Sequence, residues 1–187
     1  MEFQNEIGII QRKMAASVAG SSRRLEILHV LDIKAGQQVL DIGCGGGHLL
    51  EELAKAVGPN GKAIGLDTSQ DQLKQANEKC ALYDNASTLL GFANKINLEK
   101  NSCDAVASAQ TFEYIEDVDE SIEEVARILK PSSIFANISI LWDYYKFYGA
   151  EDNLNNLIQD TFKAHCFHQM LPTTLSGRLE KFGFKHI

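Results

Sequence analysis

The sequence predicts an α/β fold, a doubly wound and mostly parallel sheet with helices on both faces. Two observations predict it. Val39–Ile42 is a short apolar strand running into the glycine turn Gly43-Cys44-Gly45-Gly46-Gly47, and from His48 the apolar residues Leu49, Leu50 and Leu53 take helical spacing. Strand, glycine turn and helix form the first half of a nucleotide-binding βαβ unit. The second observation is Asp67, which closes the apolar segment Ala63–Leu66, 26 positions beyond Asp41. An acid at the end of the second strand of such folds accepts ribose hydroxyls with its two oxygens; the plainer alternative is an aspartate capping the next helix.

The totals bound the rest. At 187 residues the chain suits one domain with a sizeable core. A hydrophobic content of 44% with 23% charged residues is that of an ordinary globular protein. The net charge is −7 and there is no basic run, which argues against a nucleic-acid surface. Cys44, Cys80, Cys103 and Cys166 show no C-x-x-C pair, so neither a zinc site nor a thioredoxin-type motif is expected. Nothing resembles a secretory signal or a membrane span, so a cytoplasmic protein is the expectation.

Residues 1–34 are expected to form a helical cap or lid segment ahead of the strand–turn–helix unit. Phe3, Ile7, Ile9, Ile10 and Met14 alternate with polar residues as in an amphipathic helix. Ser21 or Ser22 is the expected N-cap of a second helix, Arg23–Leu31, with Leu25, Leu28 and Leu31 on one face. Gly36 ends this region, and residues 35–187 form the main domain.

The glycine turn lets a ligand lie against bare backbone, because glycine has no Cβ and tolerates positive φ. Two nucleotide motifs are excluded. The dinucleotide fingerprint G-x-G-x-x-G needs glycine where His48 stands, and the phosphate loop G-x-x-x-x-G-K-[ST] is absent. Instead Asp41, Gly43, Gly45 and Gly47 match D-x-G-x-G-x-G, and the stretch resembles motif I of the class I S-adenosylmethionine-dependent methyltransferases. The resemblance covers residues 35–141 and is nearest to small-molecule enzymes of the quinone-biosynthesis-like subgroup. It implies a Rossmann-like fold, S-adenosyl-L-methionine as cofactor with S-adenosyl-L-homocysteine as product, and a small-molecule acceptor, apolar or aromatic. It implies no metal and no fixed catalytic residue, and it leaves a homodimer open.

Cofactor contacts are expected at Asp41, Gly43, Cys44, Gly45, Gly47 and Asp67, with Cys44 serving as a small apolar residue. Thr68 and Gln72 border the ribose and adenine in the resembled family. They lie at the start of a helix reaching about Ala81, with Ser69 as N-cap. The third strand is expected over Thr88–Ala93. There the family carries Gly-Asp-Ala, whose aspartate accepts a hydrogen bond from the adenine amino group. This chain has Phe92, which cannot accept that bond but can pack on the ring, while the Ala93 backbone can still donate.

Ser102–Ser108 is the fourth strand, and Gln110 at its carboxyl end borders the methionine part of the cofactor by resemblance. Glu113 reads as a solvated or pairing acid, with a functional role the lesser alternative. Val118–Leu129 is an amphipathic helix with Ile122, Val125, Ala126 and Leu129 inward, stopping before Pro131. Pro131-Ser132-Ser133 replaces the family's Pro-Gly-Gly turn, and serine adopts positive φ less easily. Ile134–Leu141 is the fifth strand.

Trp142, Tyr144, Tyr145, Phe147 and Tyr148 follow, either as an acceptor wall or as a cover over the core, with Asp143 a minor candidate base. Residues 151–165 form a helix with Leu154, Leu157, Ile158 and Phe162 inward. His165 and His168 flank Cys166 without a fourth ligand, so packing or surface roles are expected. A last helix, capped by Thr173 and closed by Gly183, precedes Phe184–Ile187, which resembles the start of a sixth strand. The family's sixth and seventh strands are otherwise lacking. A shortened protein, a fragment or a sheet edge covered by a partner would each account for that. A catalytically degenerate cofactor-binding protein of the same fold is the rival expectation.

Overall fold

The computed structural model describes the backbone of residues 5–187 and the side chains of all of these but 5–7, 10 and 162. The expectations for Phe3, Ile7, Ile10 and Phe162 lie outside the described residues. In chain order the elements are α1 (Asn5–Ala15), α2 (Val18–Leu31), β1 (Gln38–Ile42), α3 (His48–Val57), β2 (Lys62–Asp67) and α4 (Gln70–Lys79). There follow β3 (Ala86–Leu90), β4 (Cys103–Ala109), a 3₁₀ turn (Phe112–Tyr114), α5 (Val118–Ile128) and β5 (Leu129–Ile138). A second 3₁₀ turn (Trp142–Tyr144), α6 (Asp152–His165) and α7 (Leu171–Lys181) complete the chain.

The five strands form one sheet in the order β3-β2-β1-β4-β5, and every neighbouring pair is parallel. Parallel strands are buried on both faces, so alternate residues feed two separate cores. Val39, Ala63, Ala105 and Ala107 face a core built with Ile27 and Leu31 of α2, Leu50 and Leu53 of α3, and Leu73 of α4. Leu40, Ile42, Ile64, Leu66 and Val106 face the other, filled by Ile122 and Val125 of α5 and Leu171 and Leu179 of α7. Winding reverses between β1 and β4, and the crevice at their carboxyl ends is where open α/β sheets bind ligands.

Several boundaries differ from the sequence expectation. The N-cap of α2 is Ser17, whose hydroxyl accepts the Gly20 N–H. The buried face of α2 is Gly20, Arg24, Ile27 and Leu31, while Leu25 is exposed. A charged residue thus occupies a position in the apolar stripe, which periodicity alone does not reveal.

β3 ends at Leu90, because its last pairing is with Asp67, the end of β2. Phe92 and Ala93 therefore lie beyond the strand. β5 begins at Leu129 and passes through the Pro131-Ser132-Ser133 segment with a register shift between Cys103 and Ala105. Ser132 sits there at φ 64°, the conformation glycine adopts freely. On α6 the buried residue is Asn155, which binds the Phe147 backbone N–H, and Leu154 and Leu157 are exposed. α7 begins before Thr173, with Pro172 in its first turn, and residues 184–187 form no strand. Phe184 instead packs its ring against Phe135 of β5.

Candidate functional site

The glycine turn is folded by its own backbone. Gly43, Gly45 and Gly47 have φ of 73°, 51° and 80°, a region that L-residues avoid. The N–H groups of Gly43 and Cys44 donate to the Leu66 carbonyl at 2.8 and 3.0 Å, fastening the turn to β2. Space is as tight as the dihedrals require. A Cβ on Gly43 would stand 2.1 Å from the Thr111 hydroxyl, and one on Gly47 2.8 Å from the Ala76 Cα.

Above this turn lies a cavity of about 880 Å³. It gathers all but one of the eleven predicted cofactor residues: Asp41, Gly43, Cys44, Gly45, Asp67, Thr68, Gln72, Phe92, Ala93 and Gln110 line it. Gly47 does not line it and instead caps the N-terminus of α3. Asp67 uses its carboxylate structurally as well, accepting the Gly45 N–H and the Ser69 N–H, both at 2.9 Å. Burial raises its pKa against the lowering effect of the Ser69 and Gly45 N–H groups. Gln72 is buried and holds α1 down, donating to Gln11 and accepting from Arg12. Gln110 adopts φ 55°, an uncommon strain for a residue at a cavity wall. Phe92 is 67% exposed at the rim.

Asp41 is the electrostatic centre. It is 1% exposed, and its Oδ2 has no hydrogen-bond partner among the described residues. Burial, reinforced by the nearby Asp67 and Glu52 carboxylates, pushes its pKa up to about 8, against the opposing Arg24 charge. His48, also on the cavity wall, is lowered to about 4 by burial and by Lys79 and Arg24, so it is neutral near pH 7. Cys44 is buried and its thiol is raised well above its ordinary value by burial, in keeping with an apolar packing role.

The sequence reading gives residues 1–34 as a cap or lid segment but assigns to the site none of the residues that α1 and α2 contribute. Gln11, Met14, Ala15, Gly20, Arg23 and Arg24 all line the cavity. Arg24 is buried, paired with Glu52 at 2.9 Å, and donates to the Ala15 carbonyl at the end of α1. Gly20 permits that corner, since a Cβ there would meet the Ala15 oxygen at 2.2 Å. Arg23 is half-buried and has no hydrogen bond or ion pair among the described residues.

The opposite wall is aromatic. Tyr114 and Trp142 line the cavity with ring centroids 6.4 Å apart, and Trp142 is 4% exposed. The rest of the cluster divides: Tyr145 packs on Trp142, whereas Tyr144 and Tyr148 are exposed. Asp143 is exposed, outside the cavity lining. Glu113 is fully buried at 0% exposure, so of the two alternatives, solvated or pairing, it is the pairing acid, and burial raises its pKa. Among the described residues no group of three or more His, Cys, Asp or Glu side chains is arranged to hold a metal, and no helix is long and apolar enough to cross a membrane.

The fold is shared with known proteins. A family model described as a methyltransferase domain matches residues 33–183, and the chain belongs to that family. A demethylmenaquinone methyltransferase of Staphylococcus aureus is 32% identical over 111 residues, covering 59% of this chain and 46% of the relative. The chain spans less than half the length of the curated relatives it matches first. A solved S-adenosylmethionine-dependent methyltransferase from Aquifex aeolicus is 26% identical with a TM-score of 0.67, covering 87% of this chain and 79% of that one. Phosphoethanolamine N-methyltransferase 2 of Haemonchus contortus, solved with S-adenosylmethionine, shares the fold at a TM-score of 0.71 and 23% identity, over 88% of this chain and 37% of its own. The fold and family are those of the class I methyltransferases, whose cofactor is S-adenosylmethionine.

Proposed function

We propose that this chain binds S-adenosylmethionine in the cavity over the glycine turn and transfers its methyl group to a small apolar or aromatic acceptor. The observation that carries the reading is the pairing of an unsatisfied, fully buried Asp41 oxygen with three left-handed glycines at the sheet's switch point. A buried polar atom without a partner is costly unless a ligand satisfies it. An ammonium donor would do so, and Arg23, whose side chain lines the same cavity without a partner among the described residues, suits a carboxylate. A methionine zwitterion carries both groups.

The remaining assignments follow the cavity lining. Asp67 takes the ribose hydroxyls beside its two backbone bonds, since a carboxylate has about four acceptor sites. Thr68, Gln72, Phe92 and Ala93 border the nucleoside, with Phe92 offering a ring face where an acceptor is lacking, and Gln110 borders the methionine. S-adenosylmethionine supplies a methyl carbon already activated by a sulfonium leaving group. The chain therefore needs to orient the acceptor in line and exclude water rather than supply a fixed base. Residues 1–34 act as a lid: Gln11 and Arg12 reach over the turn, where Cβ atoms on Gly45 and Gly46 would meet them at 3.0 and 2.7 Å.

The acceptor faces Tyr114 and Trp142, and the quinone-type substrate in the Staphylococcus relative's name is in keeping with such a wall. A second reading, cofactor binding without turnover, is favoured by Phe92 alone. Incubation with methyl-labelled S-adenosylmethionine and a panel of hydroxylated naphthalenes tests the two. Label in an organic product supports the transferase, and tight cofactor binding with no labelled product across the panel supports the second reading.

A further inference from the structure

We infer that Glu113 is a positioning residue that sets the acceptor half of the cavity by holding Tyr114 and Trp142 in place, an inference resting on the cofactor reading above. Glu113 is completely buried yet does not line the cavity. Its carboxylate accepts the Ser139 hydroxyl at 2.8 Å and the Ile140 N–H at 3.3 Å. Its backbone carbonyl accepts the Cys166 thiol at 3.2 Å and the His168 N–H at 3.0 Å. One residue on the turn after β4 thus ties down the segment after β5 and the loop between α6 and α7. A carboxylate persists in such a place when donors surround it.

The residues these bonds fix are those that face the cavity. Tyr114 follows Glu113 in the 3₁₀ turn, and Trp142 follows the Ser139–Ile140 segment that the carboxylate holds. Trp142 is fastened again by its backbone N–H, which donates to the Gln169 carbonyl at 2.9 Å, in the same α6–α7 loop. Most of the cofactor half is held elsewhere: Asp41, Asp67 and the turn's bonds to the Leu66 carbonyl belong to β1 and β2, and only Gly43, against Thr111, and Gln110 adjoin the Glu113 turn. Glu113 therefore acts on the acceptor through Tyr114 and Trp142, and its loss should separate acceptor binding from cofactor binding. Glutamine keeps the shape but turns an amide donor toward groups that are themselves donors.

Trp142 is the only tryptophan in the chain, so its fluorescence reads this wall directly. The full chain and Glu113→Gln are compared by Trp142 emission, acrylamide quenching, calorimetry with S-adenosylhomocysteine, and quenching by 1,4-naphthoquinone as a flat aromatic probe. The expected result is red-shifted emission, greater acrylamide quenching and a loss of naphthoquinone affinity of about tenfold. S-adenosylhomocysteine affinity should stay within about twofold, as for independent sites. Unchanged emission and naphthoquinone affinity would overturn the inference, as would an equal loss for both ligands. Absence of saturable naphthoquinone quenching in the parent would overturn the assignment of this wall to an aromatic acceptor. Should Glu113→Gln not fold, Ser139→Ala keeps the carboxylate, removes one donor, and is expected to shift Trp142 emission in the same direction. A parent that shows the naphthoquinone behaviour but binds no S-adenosylhomocysteine refutes the cofactor reading instead.

Discussion

Asp41→Asn should make the ligand-free protein more stable while crippling its cofactor site. The native carboxyl titrates near 8 rather than near its ordinary 3.8. Between those values the folded chain keeps a proton that the unfolded chain releases, so stability falls as pH rises through that window. Each pH unit inside it costs about 1.4 kcal/mol. From pH 5 to pH 7 the parent should therefore lose about 3 kcal/mol relative to the variant, which carries no charge at either pH. Asparagine keeps an oxygen for the Leu50 N–H and removes the repulsion from Asp67 and Glu52. Urea unfolding of both ligand-free chains at pH 5, 6, 7 and 8 measures the difference, which should widen steadily up to about pH 8 and then level off. The same variant should bind S-adenosylmethionine about tenfold or more weakly, having lost a charged hydrogen bond to the ammonium. Parallel pH profiles for the two chains would refute the reasoning, because they would show that Asp41 is ionised in the folded protein.

Three further perturbations address other parts of the site. Asp67→Ala should weaken S-adenosylhomocysteine binding by about 1–3 kcal/mol through the lost ribose bonds, and unchanged affinity by calorimetry would refute the ribose assignment. Gly43→Ala should lower stability by about 2 kcal/mol, from positive φ and the clash with Thr111 together. Adding Thr111→Ala should recover only part of the loss in a thermal melt, because the Cβ at position 111, 2.7 Å away, and the dihedral both remain, and full recovery would show that neither carries strain. Ser132→Gly should raise stability by about 0.5–1 kcal/mol, seen as a melting point about 1–4 °C higher, with cofactor affinity unaltered.

Much of the cofactor half was legible because its chemistry is local. Asp41, Gly43, Gly45 and Gly47 stand out through their resemblance to D-x-G-x-G-x-G, and Asp67 by its place at the end of an apolar strand; all but Gly47 line one cavity. Ser69 caps α4 as expected, its hydroxyl accepting the Gln72 N–H at 3.4 Å. The other wall was not legible, because it is tertiary. Arg24 reads as a surface residue until α2 is packed against α3 and Glu52. Gln11 and Arg12 reach the turn only because Gly20 lets α1 fold back at Ala15. β3 was placed too late, since apolar character continues through Phe92 while the pairing partner Asp67 ends the ladder at Leu90. Whether Glu113 is a solvated or a pairing acid stays open in the sequence because its donors, Ser139, Ile140, Cys166 and His168, lie 26 to 55 positions away in the chain. The serine at position 132 was correctly seen as awkward at positive φ, although the structure places it within a strand irregularity.

The central claim is that the cavity over the glycine turn is a working cofactor site. Isothermal titration of the purified chain with S-adenosylmethionine and S-adenosylhomocysteine, repeated in two buffers of different ionisation enthalpy, tests it most directly. Dissociation constants on the order of micromolar, tighter for the product, are expected, with an apparent enthalpy that differs between buffers. That difference would record the proton Asp41 gives up on meeting the ammonium. A folded chain, shown by a cooperative melt, that takes up neither compound would contradict the claim.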